Sequence, residues 1–132
     1  MERNVIQQLF FFSILSFFFS CSSAQTENNS IKLLSAKEFN TSLKNVEKPQ
    51  LIDVRTENEF KAGSIDGAIN YNLLDGTFSS KLNSLDKTKT VFVFCAKGGR
   101  SNKASKILID AGFKEIIDLR GGYGAWKESI KD

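Results

Sequence analysis

The segment Val91-Phe-Val-Phe-Cys95-Ala-Lys-Gly-Gly-Arg100-Ser101 constrains this chain more than any other. A run of β-branched and aromatic residues suits a buried strand. It ends in a cysteine, and a basic, glycine-bearing turn follows before a helix-favouring serine. That order delivers a thiol from a strand end into a loop of backbone N–H groups at a helix N-terminus. Such surroundings stabilise a thiolate and hold an anion beside it. The segment therefore points to chemistry on sulfur.

The rest of the chain reads as short apolar strands alternating with helices. Strands are expected at Ile31–Leu34, Gln50–Val54, Ala68–Asn70, Thr90–Phe94 and Glu115–Leu119. Ser35 and Glu38, and again Thr56 and Glu59, stand three apart as capping boxes, opening helices to about Asn45 and to near Gly63. Further helices are expected over Thr77–Leu85, Ser101–Ala111 (with Ser101 as N-cap) and Gly122–Ile130. Alternation of this kind predicts an α/β domain of three layers. Its central, mainly parallel sheet has about five strands with helices on both faces. Ligands of such sheets lie beyond the carboxyl ends of the strands, where Cys95 is placed.

Composition removes several chemistries. The 132 residues include no histidine and two cysteines, so Cys-His or Ser-His-Asp catalysis and histidine metal sites are excluded. No spacing of ligands suggests zinc, and neither a metal nor a cofactor is expected. The net charge of +3 is spread among interspersed lysines and carboxylates, without the basic stripe that nucleic acid requires.

Leu9 to Phe19 is uncharged and apolar, shorter than the roughly 20 residues of a membrane span. It reads as the core of a signal peptide over residues 1–20, and Cys21 behind it resembles a bacterial lipoprotein cleavage site. The expectation is an exported chain of the cell envelope or periplasm, tethered to a membrane by lipid on Cys21. Residues 21–30 then form a polar tether and residues 31–132 the domain. An ordinary secretory peptide or an uncleaved anchor are the alternatives. With Cys21 lipidated, Cys95 is the only free thiol, and no resolving cysteine exists.

Cys95-Ala-Lys-Gly-Gly-Arg100-Ser101 resembles the active-site loop of rhodanese domains, C-x-x-G-x-R-S. Leu51-Ile-Asp53-Val-Arg55 with Glu59-Phe60 is similar to the family's D-x-R…E-F element, and Gly63-Ser-Ile-Asp-Gly67-Ala68-Ile-Asn70 to its G-H-I-x-G-A-x-N. Gly112-Phe113, Leu119-Arg-Gly121-Gly122 and Ala125-Trp126 resemble its ending. The resemblance spans roughly residues 32–130. It departs at Ser64, where His is usual, and at Glu59, where some thiosulfate-using members carry a cation.

The resemblance implies a sulfurtransferase. Cys95 would take a sulfane sulfur from a small donor anion, of thiosulfate or persulfide type, and pass it to a thiol or cyanide acceptor. Amides of Ala96, Lys97, Gly98, Gly99, Arg100 and Ser101 would converge on the loop centre, with Gly98 and Gly99 supplying positive φ. Lys97 would add charge at the mouth, Arg100 would lock the loop, and Asp53 with Arg55 would brace the neighbouring loops. Two other classes compete: a non-enzymatic binding or sulfur-carrier module, and a cysteine phosphatase or arsenate reductase. The latter needs C-x5-R, whereas four residues (Ala96, Lys97, Gly98, Gly99) separate Cys95 from Arg100 here.

Overall fold

The computed structural model describes residues 28–131. The expected signal peptide, Cys21 and most of the tether lie outside the described residues. The elements run β1 (Ser30–Leu34), α1 (Ala36–Lys44), β2 (Gln50–Asp53), α2 (Glu57–Lys61), β3 (Ile69–Asn70), α3 (Thr77–Lys81), β4 (Val91–Phe94), α4 (Gly99–Asp110), β5 (Glu115–Leu119) and α5 (Gly122–Ser129). The five strands form one sheet in the order β1-β5-β4-β2-β3, with every pair parallel.

The register of β4 explains how the two faces are built. Side chains alternate along a strand, and Val91, Val93 and Cys95 join one buried cluster while Phe92 and Phe94 join the other. The first cluster is completed by Phe78 of α3 and by Ala104 and Leu108 of α4. The second is completed by Ala36 and Phe39 of α1, with Tyr123 and Trp126 of α5 packed against it. Phe39 meets Phe92 edge to face at 5.4 Å, a pairing worth about 1 kcal/mol beyond area burial. The strand carrying the cysteine is thus buried on both faces, and its end cannot shift without disturbing both halves of the core.

Both expected capping boxes are formed, from Ser35 and Glu38 and from Thr56 and Glu59. Three expectations are corrected. The third strand shortens to Ile69–Asn70, because only Ile52 and Asp53 pair with it. The helix expected over Thr77–Leu85 ends at Lys81 and tightens into a 3₁₀ turn over Leu82–Ser84. The fourth helix begins two residues early, at Gly99, and its N-cap is Gly98 in the left-handed region at φ 115°. Ser101 is therefore a third-position helical residue, not the cap. Its buried hydroxyl turns back to the loop and donates to the Gly98 carbonyl at 3.2 Å.

Candidate active site

The cysteine loop is held from below by the last helix. The Tyr123 N–H donates to the Cys95 carbonyl at 2.7 Å, and the Gly124 N–H to the Ala96 carbonyl at 3.1 Å. Free N–H groups at the start of α5 thus find acceptors in the carbonyls that leave β4. This docking needs close backbone approach at Gly122, whose φ is 62°. A Cβ there would lie 2.5 Å from the Cys95 carbonyl oxygen and 2.6 Å from the Ala96 carbonyl. A side chain at residue 122 and this loop position exclude each other.

With its carbonyls turned down toward α5, the loop turns amides toward the sulfur. The Gly98 N–H donates to Cys95 Sγ at 3.0 Å, and Ser101 Oγ lies 3.5 Å from the same atom. Cys95 is only 1% exposed. Burial, the strongest influence, pushes the thiol pKa up. The Ser101 hydroxyl and the N–H groups of Ser101, Gly98 and Lys97 outweigh it, leaving the pKa below its ordinary value. Gly99 takes helical backbone, so of the two loop glycines only Gly98 uses positive φ. Lys97 is exposed beside it.

Arg100 is engaged by Glu59. Its guanidinium makes two bonds, 2.7 and 2.8 Å, to the two Glu59 oxygens. Glu59 also accepts from the Thr56 N–H and hydroxyl at the start of α2, at 2.9 Å each. Arg100 thus fastens the α4 end of the loop to α2. The Arg100 side chain holds the Glu59 carboxyl down to about 2 against the upward push of burial, and Thr56 adds to it. A carboxyl lowered in the folded state stabilises above its unfolded pKa, near 4.5, and that contribution is lost as pH falls toward 2. The Glu59 side chain is 34% exposed, so screening leaves about 1–2 kcal/mol. We expect urea unfolding at a series of pH values to show this loss between about pH 5 and 2 in the wild type and its absence in Glu59→Gln. Parallel stability curves for the two would remove the role given to this pair.

Asp53 and Arg55 form a buried ion pair, with Arg55 also donating to the Gly63 carbonyl at 2.7 Å. The Asp53 carboxylate accepts from the Ser64 hydroxyl at 2.8 Å, and Asn70 Nδ2 donates to the carbonyls of both Asp53 and Arg55. Full satisfaction of this kind is what makes a buried pair tolerable. The Arg55 guanidinium lies 4.4 Å from the Tyr123 ring centre, so the network touches the residue that clamps Cys95. It braces the site from the β2 side without reaching the sulfur.

Three contributors escape sequence reasoning. Glu59 is the partner of Arg100, 41 positions away. The amides of Tyr123 and Gly124 clamp the loop, signalled only by the paired glycines before them. Asp118 is 1% exposed on β5, and neither of its carboxyl oxygens has a hydrogen-bond partner among the described residues. A carboxylate within Glu115-Ile-Ile-Asp-Leu119 was its only signal. Among the described residues no group of carboxylates and cysteines is arranged to hold a metal.

Comparison with known proteins agrees with this geometry. The pattern of the Rhodanese-like domain family matches residues 35–129. An uncharacterized Bacillus subtilis protein, YqhL, is 37% identical over 101 residues, covering 76% of each chain. The thiosulfate sulfurtransferase GlpE of Shewanella oneidensis is 34% identical over 80 residues, 61% of this chain and 77% of its own. A rhodanese-like domain protein from Staphylococcus aureus superposes with a TM-score of 0.65 at 30% identity, over 72% of this chain and 90% of the other.

Proposed function

Since the chain belongs to the rhodanese-like family, we propose that it is a sulfurtransferase working through a persulfide on Cys95. The observation that carries this reading is the Gly98 N–H pointing at Cys95 Sγ from 3.0 Å, inside a loop with four residues between Cys95 and Arg100. A thiolate so held attacks the outer sulfur of a donor such as thiosulfate. The new Sγ–S bond forms as the donor's S–S bond breaks, and the bonding electron pair leaves with sulfite. The anionic outer sulfur then needs donors, which the loop amides supply. An acceptor thiolate or cyanide attacks that sulfur, and the returning electron pair restores the Cys95 thiolate.

A phosphatase reading is disfavoured by the same loop. A phosphoryl group needs a cation free to bind its oxygens, and both ends of the Arg100 fork are engaged by Glu59. Turnover with a panel of thiosulfate, polysulfide, glutathione persulfide and mercaptopyruvate, with cyanide as acceptor, tests the proposal. Thiocyanate release from at least one donor supports it. Phosphate release from an ester control, with no thiocyanate from any donor, refutes it.

Lys97 is exposed beside the loop and supplies the charge that draws an anionic donor. We expect Lys97→Ala to raise KM for thiosulfate about three- to tenfold while leaving an uncharged sulfane donor unaffected. An equal change for both donors would remove this role.

A further inference from the structure

Asp118 is buried on β5 with both carboxyl oxygens unpartnered among the described residues. Alternation places it with Ile116 on the α4 face of the sheet, between its register partners Val93 of β4 and Leu33 of β1. A carboxylate so placed is costly unless it binds a proton or meets water. Among the described residues no charge balances it. β4 brings the buried Cys95 thiol, and α4 the buried hydroxyls of Ser101 and Ser105. Those hydroxyls donate to the carbonyls of Gly98 and Ser101, at 3.2 and 2.9 Å. The charged side chains of α4 lie elsewhere: Arg100 holds Glu59, and Lys103, Lys106 and Asp110 are exposed. Lys32 of β1 and Glu115 of β5 pair with each other on the opposite face. Arg120, exposed just after β5, donates to the Leu33 carbonyl.

Of the elements packed around Asp118, β1 is the one that can be lifted cheaply. It is an edge strand, hydrogen-bonded to β5 on one side. None of its five residues is fully buried, and Ile31 and Leu33, on the Asp118 face, are 40% and 47% exposed. On the other side of β5, every residue of β4 is buried. Lifting β1 therefore gives up little buried apolar surface while it uncovers the carboxyl beside Leu33. Elements with few buried contacts are the first to open.

We propose that β1 is a proton-controlled strap: loss of the Asp118 proton favours an open state in which β1 leaves β5 and water reaches the carboxylate. The carboxyl O–H bond breaks, the proton passes to solvent, and the carboxylate gains water where Leu33 stood. Burial, the dominant influence, pushes the Asp118 pKa up to about 6, with the Ser101 hydroxyl and the Leu119 N–H only partly opposing it. An acid raised in this way stabilises the closed state below its unfolded pKa, near 3.8, and that contribution is lost as pH rises through about 6. Between pH 5 and 7 the opening equilibrium then grows about tenfold. Glu115, held below its ordinary pKa by the Lys32 ammonium and the Thr90 hydroxyl, stays charged across that interval, so its clip on β1 does not change. Opening of the strap involves no sulfur chemistry and stands apart from the sulfurtransferase reading.

Amide hydrogen exchange of the full chain, followed by mass spectrometry between about pH 5 and 7, tests the strap, with each rate divided by the intrinsic rate at its pH. Protection of the β1 amides should be lower than that of β4 throughout, and should fall about tenfold across the range. Asp118→Asn, with no side-chain proton to lose there, should hold β1 protection nearly constant. Asp118→Val, which leaves no polar group to bury, replaces it should the Asn variant fail to fold. Protection in β1 equal to that in β4 would mean that only the whole domain opens, and would overturn the proposal. So would β1 protection independent of pH in the wild type, or an equal fall in the wild type and the Asp118 variant. Exchange needs no sulfur donor, so a chain that never forms a persulfide still reports on the strap.

Discussion

Cys95→Ser is expected to lower sulfur transfer by at least about a thousandfold while leaving the fold in place. A serine hydroxyl is almost never ionised at neutral pH, so the nucleophile is lost rather than weakened. The two side chains are close in size, and the Gly98 N–H that now donates to sulfur can donate to oxygen. Unfolding free energy should therefore change by about 1 kcal/mol or less. Thiocyanate formation measured beside thermal unfolding separates the two effects. A serine variant retaining a tenth of the activity would place the transferred sulfur elsewhere.

The second large effect is expected at Gly122. An alanine there must accept φ 62° and a Cβ within 2.6 Å of backbone atoms of Cys95 and Ala96. Those atoms belong to the end of a strand buried on both faces, so they cannot retreat. Left-handed strain and overpacking together cost about 2–5 kcal/mol. In a domain of this size that lowers Tm by about 10 °C or more. Gly99→Ala is the control, since Gly99 is helical and has open space where its Cβ would stand; its Tm should hold or rise slightly. Equal Tm values for the two variants would mean that the α5 contact does not fix the loop.

How much was legible in the sequence depended on how local the cause was. The strand before Cys95 was readable because alternate residues serve opposite faces, and both capping boxes because their partners lie three apart. Ser101 was misread as a cap because a glycine can start a helix through backbone conformation alone. Gly98 does so without any side-chain cap bond. The Glu59–Arg100 bond joins two helices far apart in sequence, and no pattern announces it. Ser64, a departure from the family's usual His, keeps a donor on the Asp53 carboxylate. Asp118 offered only one acidic letter in an apolar strand, and its meaning depends on which face it occupies.

The loop geometry makes one demand above the rest, that Cys95 hold an added sulfur atom stably enough to be weighed. The chain is incubated with a sulfane donor, freed of excess donor, and its intact mass recorded before and after cyanide. A gain of about 32 Da, one sulfur atom, located on the Cys95 peptide and removed by cyanide, is the predicted result. An unchanged mass with every donor, or a gain that resides on another residue, contradicts it.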